Sequence, residues 1–411
     1  MDPSVRRRRR ALFLLFLLAG IAMSSWVTRT PAVRDALEVS TAQMGLVLFG
    51  LAFGSMLGVL GSGRLVSRTG TRPVLFWAAV LLVLGMATVC AGSLMLSLPL
   101  VTAGLCAFGV GMGAGDVAAN VDATDVERIS GVTTMPALHG CFSLGTVLGA
   151  GAGMGATAAG VPVHWHLAAV TALAVAISSF APRAVPAGTG RAVAGKSVTE
   201  HGPGSRPAVW RDGKLVLIGA IVLAMALAEG AANDWLPLLM VDGHGMDATL
   251  GSLVYTGFAA AMTLGRFAAS FFLRRFGRAR VMRVSAIAGA VGLLLVIVSD
   301  NAVVAGVSVL LWGLGASLGF PLALSAAGES GSDETARVSL VATIGYIAFL
   351  VGPPGLGLLG EHIGLRAAML VVLAFVVCAA FLAPAVEPRR LTPGPGPAPR
   401  RDGAAEQTTA R

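Results

Sequence analysis

Twelve stretches of this chain are apolar enough, and long enough, to cross a bilayer, and no other feature restricts the fold as much. Spanning the hydrocarbon takes roughly 20 mostly apolar residues in a helix. The stretches run over residues 11–28, 42–62, 74–93, 97–120, 135–159, 163–182, 214–233, 248–272, 281–299, 301–327, 337–359 and 364–383. Lipid leaves no water to satisfy backbone groups, so each stretch is expected as an α-helix. Only 12% of residues are charged, against about 25% in soluble domains. The sequence therefore predicts an all-α integral membrane protein with twelve transmembrane helices.

The net charge of +9 raises nucleic acid as a partner, but the distribution of the charges excludes it. With a cytoplasmic N-terminus, 26 of the 30 Lys and Arg residues fall on the cytoplasmic side. Arg29, Arg34 and Arg366 fall outside, and Arg266 falls within a span. That asymmetry is the positive-inside pattern of a multi-pass protein of the cytoplasmic membrane with both termini inside. Arg6–Arg10 before an apolar run imitate a signal peptide. No small-x-small cleavage site stands out, so an uncleaved first helix is expected. Cys90, Cys106, Cys141 and Cys378 fall in predicted spans and are read as packing residues.

Residues 184–213 are rich in Gly, Pro and Arg and read as a cytoplasmic linker between six spans and six more. The expected organisation is a basic N-terminus (1–10), a six-helix bundle (11–183), that linker, a second bundle (214–383) and a disordered tail (384–411). The bundles echo each other. RTGTRPV (68–74) matches RFGRARV (275–281), each between the second and third helix of its half. SSW (24–26) and NDW (233–235) close the first and seventh helices, and GVGMG (109–113) is echoed by GLGAS (313–317). Duplicated six-helix units are a recurrent transporter architecture.

Ionisable groups within spans are expensive and mark cavities or partners. In the fourth helix Asp116 and Asn120 are four apart and share a face. Asp122, Asp125 and Glu127 are read as solvated beyond it. In the seventh helix Glu229 and Asn233 share a face, with Trp235 two residues on, and Asp234 is placed off that face near the outer mouth. Burial suits Asp116 to carry a proton, with Glu229 as the competing carrier and His139, at the start of the fifth helix, as a third proton-handling group. Asn120, Asn233, Trp235, Trp26, Tyr255 and Tyr346 are the candidate substrate contacts, and Trp312 is a further candidate to stack on substrate. Arg29, at a helix end, is expected to snorkel to the surface, and Arg266 to pair with an acid or cap carbonyls. Pro353 and Pro354 are expected to kink the eleventh helix.

The doubled RxGxR segment resembles the loop signature of the major facilitator superfamily, whose pattern runs roughly G-x-x-x-D-R-x-G-R-R. Gly63, Arg68, Gly70 and Arg72 match it in the first copy, and Arg275, Gly277 and Arg278 carry it in the second. Its acidic position holds Ser67 here and Arg274 in the second copy. The resemblance covers about residues 11–383 and implies that these loops govern a cytoplasmic gate. Within the superfamily the fourth helix resembles the fucose permease group of bacterial sugar/proton symporters. There a carboxylate near G-x-G and followed by Asn serves proton coupling and sugar binding, and Asp116 stands at that position. The resemblance implies a monomeric secondary transporter taking a small, sugar-like or otherwise polar substrate together with protons.

The alternative is a proton-driven exporter of a drug or secondary metabolite. Drug antiporters of the family usually carry an Arg in helix four, and none lies between Leu98 and Val121. No G-x-x-x-x-G-K-[ST] segment and no metal-spaced His/Cys cluster occurs, so no enzyme activity, cofactor or metal is expected.

Overall fold

Every apolar stretch becomes helical, several of the helices run past their apolar windows, and the stretch 301–327 is divided between two. The computed structural model describes residues 2–191, 211–331 and 333–387. The helices are α1 (Pro3–Val27), α2 (Thr30–Leu37), α3 (Thr41–Thr69), α4 (Thr71–Leu94), α5 (Leu98–Ser130), α6 (Met135–Ala158) and α7 (Val163–Phe180). They continue as α8 (Gly213–His244), α9 (Ala248–Phe276), α10 (Arg278–Val298), α11 (Ala302–Ala316), α12 (Gly319–Gly328), α13 (Glu334–Ile363) and α14 (Leu365–Leu382). Among the described residues twelve segments are long and apolar enough to cross a membrane, with α11 and α12 together making the tenth. Most of the 184–213 linker and the tail beyond residue 387 lie outside the described residues.

Polar residues set many of the helix starts. Asp2 accepts from the Ser4 backbone N–H at 2.7 Å, one residue before Pro3 opens α1. Ser40 and Gln43 form a reciprocal capping box on α3. Asp212 and Asp247 cap α8 and α9.

The two RxGxR segments differ from expectation. They are single-residue joints rather than loops. Gly70 alone separates α3 from α4 with φ +90°, and Gly277 alone separates α9 from α10 with φ +78°. A side chain at that backbone conformation is strained, so only glycine lets two long helices reverse there without a loop. Arg68 and Arg275 close one helix, while Arg72 and Arg278 open the next.

The helices α1 and α3–α7 pack largely on one another, as do α8–α14. Small residues permit the approach. A methyl at Gly54 or Gly109 would run into the backbone of the facing helix across the α3–α5 contact, and Gly20 and Gly145 do the same for α1 and α6. Many large apolar side chains face outward: Trp77 is 62% and Phe381 78% exposed. Exposure on that scale suits lipid rather than water.

Contacts between the two groups run through α3 with α13, α6 with α9, and α1–α2 with α8. At the face remote from the termini, the Ser252 hydroxyl donates to the Thr28 carbonyl at 3.0 Å. There too Arg34 pairs with Asp242, and the Ala42 N–H donates to Glu361 at 3.1 Å. At the basic face three ion pairs each stay within one group. Arg8 joins α1 to α5, Arg278 joins α10 to Glu329, and Arg337 joins α13 to Asp212.

Several expectations are corrected here. α8 does not end near Trp235 but continues through Pro237 to His244, because a helix needs no apolar window where protein surrounds it. Arg29 does not snorkel: it is 2% exposed, donating to the Thr157 hydroxyl at 2.6 Å and to the Val161 carbonyl. Asp122 is not solvated: it is fully buried and accepts from Arg8 and from the Thr71 hydroxyl at 2.9 Å.

Candidate functional site

A cavity of about 210 Å³ lies where the two groups of helices meet. Residues of α1, α3, α5 and α6 line one side, and residues of α8, α9 and α13 the other. Much of its wall is apolar, including Met23, Met112, Phe142, Phe258 and Phe349. Its polar groups are concentrated on α8 and α9.

Glu229, Asn233 and Asp234 all line it, within two turns of α8. Glu229 accepts from the Arg266 guanidinium of α9 at 2.9 Å, and the same guanidinium donates to the Ser143 hydroxyl of α6 at 3.3 Å. One cation therefore bridges a carboxylate of one helical group and a hydroxyl of the other. The Tyr255 hydroxyl donates to the Asn233 side-chain oxygen at 3.1 Å. Thr263, on the turn before Arg266, reaches the Ser143 carbonyl at 3.4 Å. The arrangement offers a paired charge, a second carboxylate and several hydroxyl and amide groups against an apolar wall. Such a site suits a solute with both polar and apolar faces.

Sequence reasoning placed Asp234 off the Glu229 face near a mouth. With α8 extended by several turns, residue 234 lies mid-helix, and residues 229, 230, 233 and 234 form one continuous stripe facing the cavity. Arg266 takes the first of the two roles expected for it, pairing with an acid, and that acid is Glu229.

Asp116 lines a separate cavity of about 70 Å³ among α1, α4, α5, α6 and α7. Met112 and Phe142 line both cavities and so form the partition between them. Asn120, one turn on, lies within hydrogen-bonding reach of the carboxylate. Its own side-chain oxygen is buried without a partner. Tyr346, on α13 in the other helical group, is within electrostatic reach of Asp116. His139 lies near the basic-face end of α6, where its ring stacks on Phe16 with centroids 5.5 Å apart, outside the lining of the main cavity.

The tryptophans sit elsewhere. Trp26 and Trp235 are fully buried and line neither cavity. The Trp235 ring lies against Gly357 of α13, filling the contact between α8 and α13. Trp312 packs edge-on against Phe258 at 5.7 Å, one layer behind the cavity wall. A large aromatic at a span end carries the same sequence signal whether it binds solute or packs helices.

The acid missing from the RxGxR segments has a counterpart in space. The residue after each joint glycine binds an acid near the end of the fourth helix of its half: Thr71 binds Asp122, and Arg278 binds Glu329 through two bonds of 2.7 and 2.6 Å. Ser67 donates to the Arg64 carbonyl at 2.9 Å, within its own helix.

Comparison with known proteins decides the family. The sequence model of the Major Facilitator Superfamily matches residues 11–336 and 221–409. The chain belongs to that superfamily. Among superfamily relatives, an uncharacterized transporter of Sinorhizobium fredii is 31% identical over 373 residues, covering 90% of this chain and 96% of that protein. An uncharacterized superfamily-type transporter of Yersinia pestis is 30% identical over 351 residues, covering 85% of this chain and 88% of that one. The solved structure of a variant of the nucleoside transporter NupG matches with a TM-score of 0.75 at 15% identity, over 92% of this chain and 99% of that one. The E. coli fucose:proton symporter FucP matches at 0.65 and 17%, over 93% and 99%. These likenesses show the superfamily fold. The protein is thus a multi-pass membrane transporter of the Major Facilitator Superfamily and not an enzyme.

Proposed function

We propose that this transporter moves a small polar solute, sugar-like in its hydroxyl pattern, by alternating access coupled to protons. It works as a monomer in the cytoplasmic membrane with both termini inside. The observation that carries the reading is the cavity in which Arg266, paired to Glu229, also reaches Ser143 of the opposite helical group. A solute bound there touches both groups at once, which is what rocking two bundles about a central site requires.

The positive-inside distribution supports a cytoplasmic basic face. The bonds from Ser252, Arg34 and Glu361 then close the outer face, and the cavity faces inward. Residues 11–183 and 214–383 serve as the rocking bundles. The Gly70 and Gly277 joints, with Gly63, Arg68, Arg72, Arg275 and Arg278, serve at the inner gate. Asp116, with Asn120 beneath it, serves as the proton carrier. Among the described residues no cation is in salt-bridge contact with it, so it can change charge without breaking an ion pair, whereas Glu229 must leave Arg266. Asn233, Tyr255 and Asp234 supply polar substrate contacts. The neighbouring folds include symporters of fucose with protons and of xylose with protons, which supports the sugar-like class.

The methionine and phenylalanine wall favours a second reading, export of an amphipathic compound. Transport in right-side-out and inside-out vesicles, over a panel of sugars and amphipathic compounds with and without a proton gradient, tests both. Gradient-dependent uptake of a hydroxylated solute supports the first reading. Gradient-dependent extrusion of an apolar compound, with no sugar moved in either direction, replaces it with the second.

A further inference from the structure

The run Arg6–Arg10 does more than set orientation. Its arginines divide by helix face. Arg8 is 4% exposed and holds both Asp122 and Asp125, at 2.7 and 2.9 Å. That double ion pair fixes the rotation of α1 about its axis. Residues 3, 6, 7, 10, 11 and 14 then form one stripe at helical spacing along a single groove.

The stripe faces α7. Arg6, Arg7 and Arg10 ring the end of a groove of about 440 Å³, with Leu14 and Phe180 along its apolar wall. Arg6, Arg7 and Arg10 are exposed, and Phe180 is 48% exposed. Among the described residues no acidic residue lines the groove. A cationic rim continuous with an apolar wall, at the end of a membrane span, matches an amphiphile carrying phosphate above acyl chain. Guanidinium groups bind phosphate oxygens in forked geometry, and basic pockets between membrane helices take anionic headgroups.

We propose that this groove between α1 and α7 is a binding site for one anionic phospholipid. The headgroup phosphate is held by Arg7 and Arg10, and an acyl chain lies along Leu14 and Phe180. The bilayer is the source of the ligand, because the apolar wall gives a free phosphate nothing to contact.

Native mass spectrometry of the full chain in uncharged detergent tests this, titrating phosphatidylglycerol, phosphatidylcholine or glycerol phosphate. One phosphatidylglycerol is expected to bind saturably, and neither of the others. Arg7→Gln with Arg10→Gln is expected to weaken that binding roughly thirtyfold, from the general worth of two arginines beside anionic lipid. Phe180→Glu is expected to weaken it by a different route, and both variants change exposed residues and leave the Arg8 pairs intact. Arg64→Gln with Arg72→Gln, basic residues outside the groove, is expected to bind as the parent does. Unchanged phosphatidylglycerol binding in the double Arg7/Arg10 variant overturns the proposal. So does glycerol phosphate binding as tightly as the lipid, or equal weakening by the Arg64/Arg72 variant.

Discussion

Arg266 and Glu229 stand 2.9 Å apart on adjacent helices, 37 residues apart in sequence, and both side chains are partly shielded. Each charge is therefore held in place by the other. Removing one leaves an uncompensated charge in a confined site, which costs more than removing both. Arg266→Gln and Glu229→Gln are each expected to lower stability by about 1–3 kcal/mol, scaled down from fully buried pairs for the partial exposure. The double variant is expected to recover part of the loss. A double-mutant cycle on detergent melting measures it, and strict additivity would show that the pair carries no coupling.

Arg8 binds Asp122 through Nε and Nη2, at 2.8 and 2.7 Å, and this pair is deeper than the last. Arg8→Lys keeps the charge but loses the fork. The lysine variant is expected to melt well below the parent, by the equivalent of about 1–3 kcal/mol. A lysine variant as stable as the parent would reduce the contact to simple charge attraction.

The two glycines of the first RxGxR segment make a matched contrast. Gly70 has φ +90° and a methyl there would sit 3.1 Å from Gly188, whereas a methyl at Gly63 meets nothing within 4 Å. Gly70→Ala is expected to cost about 1–3 kcal/mol, and Gly63→Ala to be neutral or slightly stabilising. Comparative thermal unfolding reads both. Equal effects would mean that the joint tolerates a side chain.

Hydropathy made the spans legible, since lipid demands long apolar helices. The four-residue spacing put Glu229 and Asn233 on one face, where the structure shows both lining the cavity. What it could not show depends on partners distant in sequence. A window over residues 1–10 sees five arginines and cannot tell that Arg8 meets an acid 114 residues away. The same blindness hid Asp122 and the buried Arg29, whose partners lie on other helices. Asp234 lies on the cavity stripe because α8 continues to His244, well beyond the point where its apolar character fades in the sequence. The roles of Trp26 and Trp235 were illegible because packing and stacking use the same residue type.

Asp212 supplies a pH-dependent prediction outside the spans. Its carboxylate is held below the usual range chiefly by the hydrogen bond from Arg337. The folded state thus favours the charged form. The resulting stability is present above the unfolded-state value, about 3.9, and is lost as pH falls through the lower folded value. Asp212→Asn retains an oxygen for the Lys214 N–H, which Asp212 accepts at 3.0 Å, and removes the charge together with the second oxygen, which accepts from Arg337. The variant is expected to melt below the parent at pH 7, by about 1–2 kcal/mol, and the gap to narrow toward pH 3. A gap that stays constant with pH would assign the effect to the cap instead of the ion pair.

The central claim, solute movement through the cavity driven by protons on Asp116, has one direct measurement. Parent, Asp116→Asn and Glu229→Gln proteins are reconstituted into liposomes, and counterflow is compared with accumulation driven by a proton gradient. Asn mimics the neutral acid, so Asp116→Asn is expected to keep counterflow and lose accumulation against the gradient. If Asp116→Asn still concentrates solute while Glu229→Gln does not, the proton travels on Glu229 and the account is contradicted.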